Sequence, residues 1–175
     1  MTSASPRAAV RPPGALLLHP AMLLAVGVLV INDHLLKATF PGWTTGKLSD
    51  AAGMVFFPAL LVSLVEHAAS RLGASWVARP RDVIVAAVLT GSVFGLVKSW
   101  PIAGDAYRVG SALLSWPVRA AAQLIARGTT LPPLGRATLV ADPTDVLCVP
   151  FVAIAVWVAF RSERPSVTEL HADVR

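Results

Sequence analysis

The chain has 175 residues, of which 55% are hydrophobic and 14% charged, with a net charge of +5 and a mean hydropathy of +0.65. A soluble domain of this length carries roughly a quarter charged residues, so the deficit points to lipid as the solvent. The basic residues form no run or stripe, which argues against a nucleic-acid partner, and the single cysteine, Cys148, excludes an internal disulfide and a cysteine metal cluster. The length allows one compact unit.

Residues 1–14, MTSASPRAAVRPPG, are small, basic and Pro-rich. Such a segment cannot bury a core and is predicted to be disordered. The first apolar run, ALLLHPAMLLAVGVLVI, spans Ala15 to Ile31. It is long for a signal-peptide core and ends in NDHLLK rather than a small-x-small cleavage site, so it reads as a membrane anchor over about residues 15–36, with Pro20 in its first turns. The second run, Ala51 to Val65, predicts a span over about 49–67 bent at Pro58. The third, Val83 to Val97, predicts a span over about 82–99, in which Ala87, Gly91, Ser92 and Gly95 suit close helix contact in lipid. The fourth, Val146 to Phe160, predicts a span over about 143–160, followed by a polar tail, 161–175. With flanking residues each run nears the roughly twenty residues that a spanning helix needs. The runs are apolar all round, whereas helices of a soluble bundle would show a polar stripe. Trp43, Trp76 and Trp100 fall just outside the spans, where aromatic belts form.

Between the third and fourth runs lies a long linker. In it Arg108, Ser111, Ser115, Arg119 and Gln123 recur every three or four residues, against Val109, Ala112, Leu113, Trp116, Ala120, Leu124 and Ile125. This pattern predicts an amphipathic helix over about 106–127, interrupted by Pro117 and lying in the membrane interface. A re-entrant or spanning segment is the competing reading, and the two Arg count against a plain span. The predicted fold is therefore all-α: an integral membrane bundle of four transmembrane helices plus an interfacial amphipathic helix.

Four spans put both termini on one side. Short loops and span ends on that side hold Arg7, Arg11, Arg71, Arg79, Arg81, Arg161 and Arg164, which favours cytoplasmic termini. The two halves also echo each other as repeated hairpins. LLK, Pro41, Leu48–Asp50 and Pro58 in the first correspond to LVK, Pro101, Pro143–Asp145 and Pro150 in the second. Ser49 and Thr144 would then be N-caps, with Asp50 and Asp145 complementing the helix dipoles.

The repeat gathers polar residues at one membrane face. Asp33, His34, Asp50 and Asp145 are candidate acid/base groups and include ligand types for a divalent metal. Asp142 lies beside them. Lys37, Lys47, Lys98, Arg108 and Arg119 are candidates to hold a phosphate or a lipid headgroup. The bland alternative is that all of them cap helices and solvate the interface. His19, Glu66 and His67 read as interfacial, and Cys148 as a small packing residue.

The stretch NDHLLK…PGW..GKLSD.AG..FFP, covering about the first third of the chain, resembles a pattern of small bacterial multi-pass membrane proteins and brings no activity with it. Asp33, His34 and the stretch Arg136 to Asp145 are also similar to the polar Asp/Lys/His group and late Arg-x-Asp stretch of VanZ-like membrane proteins. The order Asp-Lys…His is not kept here, and that family's late Asn and Gly are absent.

Three functions fit these residues. The first is a non-catalytic accessory or envelope interaction protein of the bacterial inner membrane, contacting lipids and a membrane protein partner or a second copy. The second is a membrane enzyme or binding protein for a phosphorylated or lipid-linked substrate. The third is a small transporter built as a dimer, against which stands the lack of an acid or base at any span centre.

Overall fold

The computed structural model describes residues 11–128 and 130–162, and all regular structure among them is helical. Five long helices follow one another: α1 (Pro20–Thr39), α2 (Trp43–Arg71), α3 (Pro80–Ser99), α4 (Pro101–Arg127) and α5 (Pro143–Ser162). All but α4 are long and apolar enough to cross a membrane. Their outward surfaces carry Leu23, Leu24, Leu64, Val88, Leu89 and Trp157. Water does not tolerate so large a contiguous apolar surface on a monomer. The chain is a multi-pass helical membrane protein.

The helices form two compact units, Met1–Gly91 with Cys148–Arg175, and Ser92–Leu147. The core of the first joins Met22 and Ala25 of α1, Val55, Ala59 and Val62 of α2, Val83 and Ala86 of α3, and Ala155, Val158 and Ala159 of α5. Alanine recurs because helices in lipid gain from close backbone approach rather than from expelling water. Gly91 serves the same end: a Cβ there would lie 3.0 Å from Val149 Cγ1. Ala87 is buried with it, whereas Ser92 is exposed.

Several element boundaries differ from those predicted. Helix α1 starts at Pro20, because Ala15–Leu18 form a separate turn of 3-10 helix and His19 is the N-cap, its Nδ1 accepting from Ala21 N–H at 3.2 Å. Helix α2 starts at Trp43, six residues before the predicted cap, Ser49. Thr45 closes its start, since Gly42 N–H donates to Thr45 Oγ1 at 3.2 Å. Ser49 and Asp50 therefore lie inside the helix, and Asp50 cannot act on its first turn. At 29 residues α2 is about 43 Å long, longer than the hydrocarbon layer, and so carries polar residues at both ends. Thr144 is not the cap of α5 either. Asp142 Oδ1 accepts from Thr144 N–H at 2.9 Å and from its hydroxyl at 2.7 Å. Helix α5 winds as 3-10 from Pro143 to Phe151, where Pro150 has no N–H to give to an α-helical turn. Neither residue of the Ser/Thr-Asp match thus serves as the cap expected of it.

Helix α4 starts at Pro101, five residues early, with proline at the first helical position, where its fixed φ suits the turn. It runs unbroken through Pro117. The predicted loose segments fall outside the described residues for 1–10 and 163–175, but Arg11 and Gly14 are tethered, as shown below.

Candidate functional site

The predicted polar residues form one network in the first unit and another in the second. The first is built on a single π-helical turn, Asn32–Leu36, inside α1. Such turns insert one residue into an α-helix and recur at functional sites. Asn32 is fully buried. Its Nδ2 donates to Thr45 O and to Ser49 Oγ, each at 2.6 Å. Ser49 Oγ donates in turn to Asp33 Oδ1 at 2.6 Å, and Lys37 Nζ lies 2.7 Å from that same oxygen. Consecutive residues Asn32 and Asp33 thus both reach Ser49, which lies two turns into α2. Asn32 Oδ1 is buried with no partner. The arrangement is a relay of bonds clasping α1 to α2. Ser49 donates its proton to Asp33, whose carboxylate also pairs with Lys37. His34 is exposed. Replacing Ser49 with Ala should cost about 1–2 kcal/mol, because a buried amide and a carboxylate lose a partner together. Unfolding in mixed detergent–SDS micelles measures this, and an unchanged midpoint would show that the relay carries no stability.

Lys47 stacks on the Trp43 ring at 4.7 Å, and its carbonyl receives Cys148 Sγ at 3.6 Å. Cys148 is buried, as its reading as a packing residue implied. Lys47 and Asp50 have further partners.

In the second unit Lys98 Nζ meets Asp145 Oδ2 at 2.6 Å and Val140 O at 3.3 Å. The pair links the end of α3 to the start of α5. Arg108 pairs with Asp105 Oδ1 at 2.8 Å and donates to Leu139 O at 3.2 Å. Arg119 donates to Leu134 O at 2.9 Å, and Trp116 Nε1 to Pro132 O at 2.9 Å. The polar side of α4 is therefore engaged through Arg108, Trp116 and Arg119, while Ser115 and Arg119 stay exposed. It holds the extended segment 130–142, which returns along the helix. Lys98, Asp105, Arg108, Trp100 and Leu139 line a cavity of about 300 Å³.

The structure thus joins Asp33 to Lys37, and Asp145 to Lys98, and brings Lys98 and Arg108 to one cavity wall. Among the described residues no group of three or more His, Cys, Asp or Glu is placed to hold a metal ion.

Glu66, read from the sequence as interfacial, is fully buried instead. Its carboxylate accepts from Gly14 N–H at 2.7 Å and from Ala78 N–H at 2.9 Å, with Arg11 at 3.7 Å. One side chain near the end of α2 thereby pins the segment before α1 and the loop before α3. Gly14 has φ +79°, and a Cβ there would lie 2.7 Å from the His67 ring, so only glycine fits beside this carboxylate. The signal was in the register: Val55, Ala59, Val62 and Glu66 fall on one buried helix face.

No known family, curated protein or solved structure matches the chain.

Proposed function

We propose that the chain is a protein of the bacterial inner membrane, with cytoplasmic termini, that does no chemistry of its own and acts as an accessory or interaction partner in the envelope. The observation that carries this reading is that the acid, base and phosphate-binding candidates other than His34 are committed to internal partners. Asp33 is held by Lys37 and Ser49, Asp145 by Lys98, Arg108 by Asp105 and Leu139 O, and Arg119 by Leu134 O. Lys47 and Asp50 are engaged as well. The distribution of Arg near the span ends supports the orientation, and the NDHLLK…GKLSD resemblance supports a bacterial source.

His34, exposed and outside the bonds described above, separates this reading from an enzymatic one. A His34→Ala chain, expressed at the wild-type level, is expected to restore the phenotype of a deletion strain fully. Loss of complementation at normal membrane levels would move His34 into a catalytic role, because its removal disturbs no packing.

The cavity bearing Lys98 and Arg108 favours a second reading, a binding protein for a phosphorylated or lipid-linked headgroup. Saturable binding of a phosphorylated lipid in detergent, weakened by Arg108→Gln, would put that reading first.

A further inference from the structure

We infer that α4 and its return segment 130–142 form a hairpin seated within a lipid leaflet, its occupant being the boundary between anionic headgroups and acyl chains. This rests on the membrane reading of the four spans and is independent of whether the protein catalyses a reaction.

The first argument is the free face of α4. Tyr107, Leu114, Val118 and Ile125 share one side of the helix, and Leu114, Val118 and Ile125 are 85%, 73% and 88% exposed. Ile102, Leu113 and Leu124 widen this side and are exposed too. Its charged residues between Ile102 and Ile125 are Asp105, Arg108 and Arg119, and both Arg turn to the return segment. A broad face of exposed apolar side chains on a helix whose charges lie to the other side suits the headgroup–hydrocarbon boundary.

The second argument is the backbone of the return segment. Extended chain cannot enter a membrane unless its polar groups are satisfied by protein. Here the carbonyls of Pro132, Leu134 and Leu139 accept from Trp116, Arg119 and Arg108, and Ala137 N–H donates to Arg108 O at 3.0 Å. The side chains that made the helix look amphipathic thus satisfy part of the backbone of the segment that returns along it.

The third argument is continuity and charge. Only Trp100 separates α3 from α4, and Pro143 begins α5 directly after the return segment. Both ends of the hairpin are therefore span ends, and Trp100 is a residue suited to the headgroup layer. Arg108, Arg119, Arg127 and Arg136 against Asp105 and Asp142 leave the hairpin basic, complementary to anionic lipid.

The test uses the full chain with Cys148→Ala and single cysteines at Leu114, Val118 or Ile125, each labelled with an environment-sensitive fluorophore. The protein is placed in phosphatidylethanolamine–phosphatidylglycerol vesicles, with nitroxides on the acyl chains or iodide in the water. All three labels are expected to be quenched several-fold more by the acyl-chain nitroxide than by iodide. Stronger quenching by iodide overturns the proposal in favour of a water-exposed hairpin. Protection from both quenchers overturns it in favour of a protein cover, such as a second copy. A label at Leu89, exposed in the middle of α3, is the control: if lipid nitroxide fails to quench it, the spanning reading itself falls. All four positions are exposed, so the labels do not disturb packing.

Discussion

Replacing Glu66 with Ala is expected to lower the stability of the folded protein by on the order of 4 kcal/mol, since each buried donor left unsatisfied costs about 1–3 kcal/mol. Two such donors are at stake, the N–H groups of Gly14 and Ala78. Arg11 loses its anion too. These groups come from segments far apart in the chain, so the loss is not confined to one helix end. It releases the entry to α1 and the entry to α3 together. Glu66→Gln should cost about half as much, because one amide oxygen can still accept an N–H while the amide nitrogen opposes the other. Reversible unfolding in dodecyl maltoside–SDS mixtures gives both values. If Glu66→Ala and Glu66→Gln unfold at the wild-type SDS fraction, the carboxylate is not the pin described here. Limited proteolysis gives a second readout: cleavage before Pro20 should accelerate in Glu66→Ala, while the α2 midsection stays protected.

The four spans could be read from the sequence because they rest on one strong quantity, the length of an uninterrupted apolar run. Where they begin could not, because the start of a helix is decided by single side chain–backbone bonds. Thr45 outcompetes Ser49 by closing on Gly42, and Asp142 outcompetes Thr144 by taking its N–H. All four are residue types that favour helix N-caps, so composition does not distinguish them. The π turn at Asn32 inserts one residue, and the helix before it is apolar all round, so no stripe is there to show the shift in phase. The polar stripe of α4 was plain, but its partner was not. Backbone carbonyls of an extended segment look alike whatever their side chains, so nothing in residues 130–142 announced that Arg108, Arg119 and Trp116 would bind there. Glu66 was different. Its spacing from Val55, Ala59 and Val62 places it on the buried face, whereas its nearness to the span end points to the interface.

Replacing Asp145 with Ala should destabilise the protein by about 3–5 kcal/mol, the usual cost of breaking a buried ion pair by removing one partner. The side chains of Lys98 and Asp145 are 10% and 8% exposed, and their charged atoms are 2.6 Å apart. Truncating the acid leaves a largely buried ammonium without its nearest carboxylate. The attraction between the two charges is partly consumed by the cost of desolvating both. A pair of apolar residues of similar size should therefore do nearly as well. The double variant Lys98→Met, Asp145→Leu is thus expected to recover at least half of the loss seen in Asp145→Ala, measured by the same unfolding assay. That recovery would make the pair an architectural link between the end of α3 and the start of α5. A double variant as unstable as the single would mean that the charges themselves are required there. If that double variant were stable and still failed to restore the phenotype of a deletion strain, Lys98 would move from the scaffold into the headgroup-binding reading of the cavity it lines.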